Sequence, residues 1–127
     1  MNDVFGKEEY LLRAVFPESK RPDYWSNGHL SSAAFKDSKG LSVDRTGTRS
    51  LHDSVECIRK HLNGFIVSLT VTACYSVHAE LIYLPSASNP FHSEIHGSKT
   101  QIELTPYQAF FLSRKARIEY NPQIMIA

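Results

Sequence analysis

The segment FHSEIH places three side chains capable of acid–base or metal chemistry at alternate positions: His92, Glu94 and His96. On a β-strand such residues project from one face, roughly 7 Å apart per pair, with Phe91, Ser93 and Ile95 on the other. Two imidazoles and a carboxylate could hold a divalent cation, or act as general acid and base on a phosphodiester. Side chains on one rigid strand diverge, so a metal would need further ligands, for which His52 and His78 are the candidates. The competing reading is a solvated polar sheet face on which Glu94 pairs with a basic neighbour, and no metal is assigned.

A second constellation is Arg13, Ser31, Ser32 and Glu94. An arginine, then serines, then a glutamate is similar to the order in one class of ADP-ribosyltransferases. That resemblance implies that arginine and serine hold NAD and glutamate activates the acceptor. The chain departs from the pattern: Arg13 and Ser31 lie close in sequence, the serine motif lacks its middle threonine, and His92 stands where Glu or Gln is usual. The plainer expectation is a paired edge-strand arginine and packing or capping serines.

A third group is basic and aromatic. Lys20, Arg21, Tyr24 and Trp25 share one loop, and Arg45 and Arg49 lie in another. Arginines beside an exposed indole could track a phosphate backbone and stack a base, whereas buried rings would simply anchor the loop. Cys57 and Cys74 are isolated and read as small buried hydrophobes. Phosphate-loop, dinucleotide-fold, zinc-protease and nucleophile-elbow patterns do not occur, so no cofactor is implied.

The elements that must position these groups follow from pattern. Residues 9–16 (EYLLRAVF) read as a strand closed by Pro17, and 17–28 as a loop pinned by Tyr24 and Trp25. Residues 29–35 fit either a strand or a helical turn; 36–40 read as a turn and 41–44 as a strand. Gly47 at the centre of polar residues 45–49 suggests a mobile surface loop. Ser50 with Asp53 opens a helix over 50–62, with Leu51, Val55, Ile58 and Leu62 on one face. Residues 65–83 are apolar at every odd position, which indicates β-structure. An unbroken strand of that length would reach about 60 Å, so a bend or short helix is expected near 72–76, with a firmer strand over 79–84. A strand over 91–96 follows the loop 85–90. Thr105, Pro106 and Gln108 then start a helix over 105–117, with Tyr107, Phe110, Phe111, Leu112 and Ala116 as its expected buried side and Arg114, Lys115 and Arg117 at its dipole end. Residues 118–127 supply a possible last edge strand.

These elements sum to one α+β domain over residues 1–127, a mixed or antiparallel sheet of about five strands with two main helices on one face. Its 127 residues, 42% of them hydrophobic, are enough for a self-sufficient core. Fourteen basic against thirteen acidic residues argue against a nucleic-acid binder that relies on bulk charge. The first ten residues carry no apolar signal core, and the most apolar stretch is interrupted by polar groups, so a cytoplasmic protein without a membrane span is expected.

The segments RPDYWSNGHLSSAAFKDSKGLSV, PSASNPFHSEIHG and LTPYQAFFLSRKARI together resemble a scattered family of small bacterial proteins. That resemblance spans most of the chain. It implies a single bacterial domain and, by association, an accessory role in phage defence or a toxin–antitoxin system. The leading expectation is an interaction or ligand-binding module whose partner is another protein, using the His92, Glu94 and His96 face with the Tyr24 and Trp25 loop. The alternative is a small hydrolase or transferase acting on a nucleotide or nucleic acid, with Arg13 or Arg45 holding phosphate.

Overall fold

The computed structural model describes residues 1–123. Its elements are β1 (Tyr10–Val15), a hairpin of β2 (Trp25–Ser26) and β3 (His29–Leu30), β4 (Leu41–Arg45), α1 (Leu51–Arg59), β5 (Phe65–Thr70), α2 (Val71–Ser76), β6 (Glu80–Tyr83), β7 (His92–His96), α3 (Pro106–Lys115) and β8 (Arg117–Tyr120). Short 3-10 turns cover Pro22–Tyr24 and Ser32–Phe35. Six strands form one sheet in the order β6-β7-β4-β1-β5-β8. Every neighbouring pair is antiparallel. The architecture is α+β, and the sixth strand is the last edge strand expected near the C-terminus, residues 117–120 pairing along β5. Among the described residues no helix is long and apolar enough to cross a membrane.

Local signals explain most boundaries. Ser50 accepts the Asp53 amide at 3.0 Å and starts α1. Thr105 and Gln108 complete a reciprocal capping box on α3. Asn27 and Gly28, at φ 51° and 79°, supply the left-handed pair that a two-residue hairpin needs. The alternating run is broken as expected: Thr70 caps α2, and the chain re-enters the sheet at Glu80.

The two long helices do not share a face. Leu11 and Val15 belong to the larger core with Ala109 and Leu112 of α3, whereas Leu12 belongs to a smaller core with Val55 and Ile58 of α1. Successive strand residues point to opposite faces, so α1 and α3 sandwich the middle of the sheet. β5 is accordingly buried on both sides from Phe65 to Leu69.

The inner side of α3 differs from expectation in part, for Leu112 is enclosed and Phe111 and Ala116 pack against the core as expected. Gln108, Ala109, Leu112 and Ser113 are its buried residues, while Tyr107 and Phe110 are exposed. Gln108 is tolerated inside because every polar atom of its amide is bonded. Its Oε1 accepts the Thr105 amide, and its Nε2 donates to Val77 and Gly97 carbonyls at 2.9 Å each.

Residues 45–49 are likewise not a loose surface loop. Arg45 ends β4 and is only 2% exposed. Its Nε and Nη2 donate to the two carboxylate oxygens of Glu9 at 2.8 and 2.6 Å, and Nη1 and Nη2 reach the Asn2 and Val4 carbonyls. Its guanidinium carbon lies 4.1 Å from the Phe5 ring centre and 4.8 Å from that of Tyr83. Glu9 in turn accepts the Gly6 and Gly47 amides. Arg49 closes the turn by donating to the Thr46 and Arg45 carbonyls while its guanidinium packs 3.4 Å from the Phe91 ring centre.

Burial alone would raise the Glu9 pKa, but the Arg45 hydrogen bond, the two amides and the Arg45 charge outweigh it and hold the carboxyl below its ordinary value of 4.5. A depressed carboxylate contributes stability above its unfolded pKa and loses it as pH falls through the folded one. Glu9→Gln should therefore lower the unfolding free energy at neutral pH by about 3–5 kcal/mol, the usual cost of stranding a buried charge. In urea titrations from pH 7 downward, the gap between wild type and variant should narrow below about pH 4.5. A gap that stays constant into strong acid would contradict the assignment.

Candidate functional site

The register of β7 decides what stands beside each histidine. His92 faces Asp44, Glu94 faces Ser42 on β4 and Ile82 on β6, and His96 faces Glu80. Leu12 pairs with Asp44, so this row continues the face that α1 covers further along the sheet. α1 packs over β1 and β5, which leaves this face of the β4, β7 and β6 half without a helix.

His92, Glu94 and His96 do share one face. His96 Nε2 lies 2.7 Å from Glu94 Oε1; an ionised carboxylate only accepts, so the proton belongs on Nε2. His92 Nε2 is 4.0 Å from the other Glu94 oxygen. The carboxylate rests over Gly40, at φ 106°, where an added Cβ would collide with it. His52 and His78 do not join them, and among the described residues no three His, Cys, Asp or Glu side chains are arranged to hold a metal ion.

His92 and Asp44 also line a cavity of about 220 Å³ between the C-terminal end of α1 and the sheet, with Leu12, Ile58, Leu62 and Asn89. Asn89 donates to Asp44 at 2.9 Å and so ties the 85–90 loop to β4. Neither Asp44 nor Asn89 was singled out from sequence. Asp44 ends a short polar–apolar alternation, and only the strand register brings it opposite His92.

Arg13 touches the same cavity, but its guanidinium is committed elsewhere. The β1–β4 pairing stops at Leu12 and Asp44, and Arg13 fills the opening beyond it by donating to the Ala34 and Ser42 carbonyls at 3.0 and 3.1 Å. Burial pushes its pKa down from the usual guanidinium value. Ser31 and Ser32 lie on the opposite side of the sheet, beside α3, and the Ser31 hydroxyl donates to the Asp23 carbonyl. Arginine, serines and glutamate thus do not converge, and the transferase-like constellation is not assembled.

The basic and aromatic group is dispersed too. Trp25 is buried, with its ring centre 4.6 Å from that of Phe65 and its indole N–H donating to the Phe16 carbonyl. Tyr24 is half-buried under Arg21, which itself pairs with Asp23. The Arg21 hydrogen bond lowers the Asp23 pKa. With Arg45 enclosed and Arg49 stacked, no loop offers an exposed indole flanked by free cations. Exposed rings are found instead at Phe16, with Lys20 over it, and on α3 at Tyr107 and at Phe110, which Arg114 flanks. The signal of the α3 rings was hidden because Gln108 and Ser113, polar by type, occupy the buried side.

Compared with protein-family models, curated proteins and solved structures, the chain matches none.

Two expectations follow from the geometry. Gly40→Ala should destabilise the fold by about 1 kcal/mol or more, since it combines a left-handed backbone with displacement of Glu94; a thermal melt unchanged from wild type would count against the packing described. Cys57 is exposed, contrary to the expectation of burial, whereas Cys74 is enclosed and its pKa pushed up to about 12 by desolvation. A thiol reagent should therefore label Cys57 quickly in the native protein and Cys74 only after unfolding.

Proposed function

We propose that the protein is a binding module that engages another protein through the helix-free half of its sheet. The surface centres on His92, Glu94 and His96 and extends to Asp44 and the cavity beside α1. The observation that carries this reading is the commitment of the polar groups. Glu94 is hydrogen-bonded to His96, Arg13 to two carbonyls, and Ser31 and Ser32 lie across the sheet from the histidines. What remains is a broad, half-buried polar face. The Tyr24 and Trp25 loop has no part in it, because Trp25 packs into the core on the other side. In this reading the protein is a cytoplasmic accessory of a bacterial phage-defence or toxin–antitoxin system, the setting suggested by its sequence resemblance.

One observation favours a second reading. Asp44 and His92 are cross-strand neighbours lining one cavity, which puts a carboxylate and an imidazole side by side for acid–base work on a nucleotide or nucleic acid. A His92→Ala, His96→Ala double variant with an unchanged circular dichroism spectrum separates the two. For the binding module, the partner recovered from the native cell should be held roughly tenfold or more weakly by the variant, and neither protein should turn over nucleotides or phosphodiesters. Full retention of the partner by the variant would overturn the reading, as would turnover by the wild type that the variant lacks.

A further inference from the structure

The outer face of α3 lies across the sheet from the histidine row and serves no purpose in the fold. Tyr107 is 68% and Phe110 51% exposed, although both are large aromatic residues. With Arg114 they follow the i, i+3, i+7 spacing that aligns side chains along one stripe. The Arg114 guanidinium lies 5.0 Å from the Phe110 ring centre and forms no ion pair among the described residues. Lys115 lies beside Phe111 on the next turn edge.

Next to this stripe, between α3 and the β2–β3 hairpin, is a cleft of about 290 Å³. Arg114, Asn27, His29 and Ser32 open into it, and its lining contains no Asp or Glu. α3 contains none either. In a chain with thirteen acidic residues, a helix and cleft that both lack them form a locally positive surface that the net charge of +1 conceals.

We propose that this face binds single-stranded nucleic acid, with bases stacked on Tyr107 and Phe110 and phosphate held at the Arg114 end of the cleft. Cations and neutral N–H and O–H donors suit phosphate. Exposed rings suit bases, whose π-faces stack regardless of sequence. A purely acidic peptide would pair with the cations but bring no flat π-face to the two rings. The few cations make the interaction weak at physiological salt, with a salt slope of about −0.7 per phosphate neutralised.

Fluorescence anisotropy with labelled oligo-uridine and oligo-thymidine of about ten nucleotides, at low and moderate salt, tests the proposal on the full chain. Binding should be measurable at low salt and weaken as salt rises. Tyr107→Ala with Phe110→Ala should weaken it roughly tenfold or more. Arg114→Glu should do the same and flatten the salt dependence. Arg59→Gln, an exposed cation on α1 across the sheet, should change nothing. These side chains are solvent-facing, and the circular dichroism spectrum checks that each variant folds; Arg114→Glu decides the matter if the aromatic double variant does not. The proposal is overturned if wild type fails to bind either oligomer at low salt, or if the folded variants bind as well as wild type. It is equally overturned if poly-glutamate binds as tightly as the oligomers, which would mark a peptide surface, or if a mononucleotide does, which would mark a nucleotide site.

Discussion

A single enclosed guanidinium organises the chain. Arg45 carries a charge into a site almost without solvent, and such a charge is costly unless its N–H groups are bonded and its charge is matched. Glu9 supplies the matching charge, the Asn2 and Val4 carbonyls accept further N–H groups, and Phe5 and Tyr83 flank the plane. These partners come from the N-terminal segment, the approach to β1 and the end of β6. Because the fork geometry of guanidinium and carboxylate is strict, satisfying it fixes these segments relative to one another. Hydrophobic burial provides most of the driving force, but it is tolerant of small shifts; the ion pair is not. The position of β4, and with it the register of β7 and the histidine row, depends on that lock.

The sheet then acts as a divider. Its middle strands are covered on both sides, by α1 on one and by α3 with the Ser32–Phe35 turn on the other. Its β4, β7 and β6 half is covered on one side only. The polar row of His92, Glu94 and His96, with Ser42 beside it on β4, follows from that asymmetry, since a strand with one face in the core presents its other residues outward. The two surfaces considered for binding therefore lie on opposite sides of the same layer and share no side chain.

Features governed by near neighbours were legible in the sequence. The Ser50 cap, the Thr105–Gln108 box, the break in the alternating run and the shared face of His92, Glu94 and His96 all depend on residues a few positions apart. Features governed by distant partners were not. Arg45 reads as a loop cation because charged residues are rarely enclosed, and Glu9 lies far upstream. The sidedness of α1 and α3 had a faint mark in the paired Leu11 and Leu12 and in the unbroken Phe65, Ile66 and Val67, since consecutive apolar residues on a strand imply cover on both faces. On α3 the capping glutamine was recognised, but its second role, bonding two remote carbonyls, brings Gln108 inside and leaves Tyr107 and Phe110 outside. Arg13, similarly, is neither free nor paired with a carboxylate; it fills an opening in strand pairing that sequence does not reveal.

Gln108 sets unequal tolerances along the chain. Its amide joins the start of α3 to the end of α2 at Val77 and to the end of β7 at Gly97, where the Glu103 carbonyl leaves no room for a side chain. The segment between Gly97 and Thr105 thus behaves as a spacer of set length: lengthening it would turn α3 about its axis and carry Tyr107 and Phe110 away from the hairpin. Residues 84–88 of the loop between β6 and β7, ahead of the contacts of Asn89, Pro90 and Phe91, have no comparable duty, and it is there that the fold has room to accept insertions and diversify.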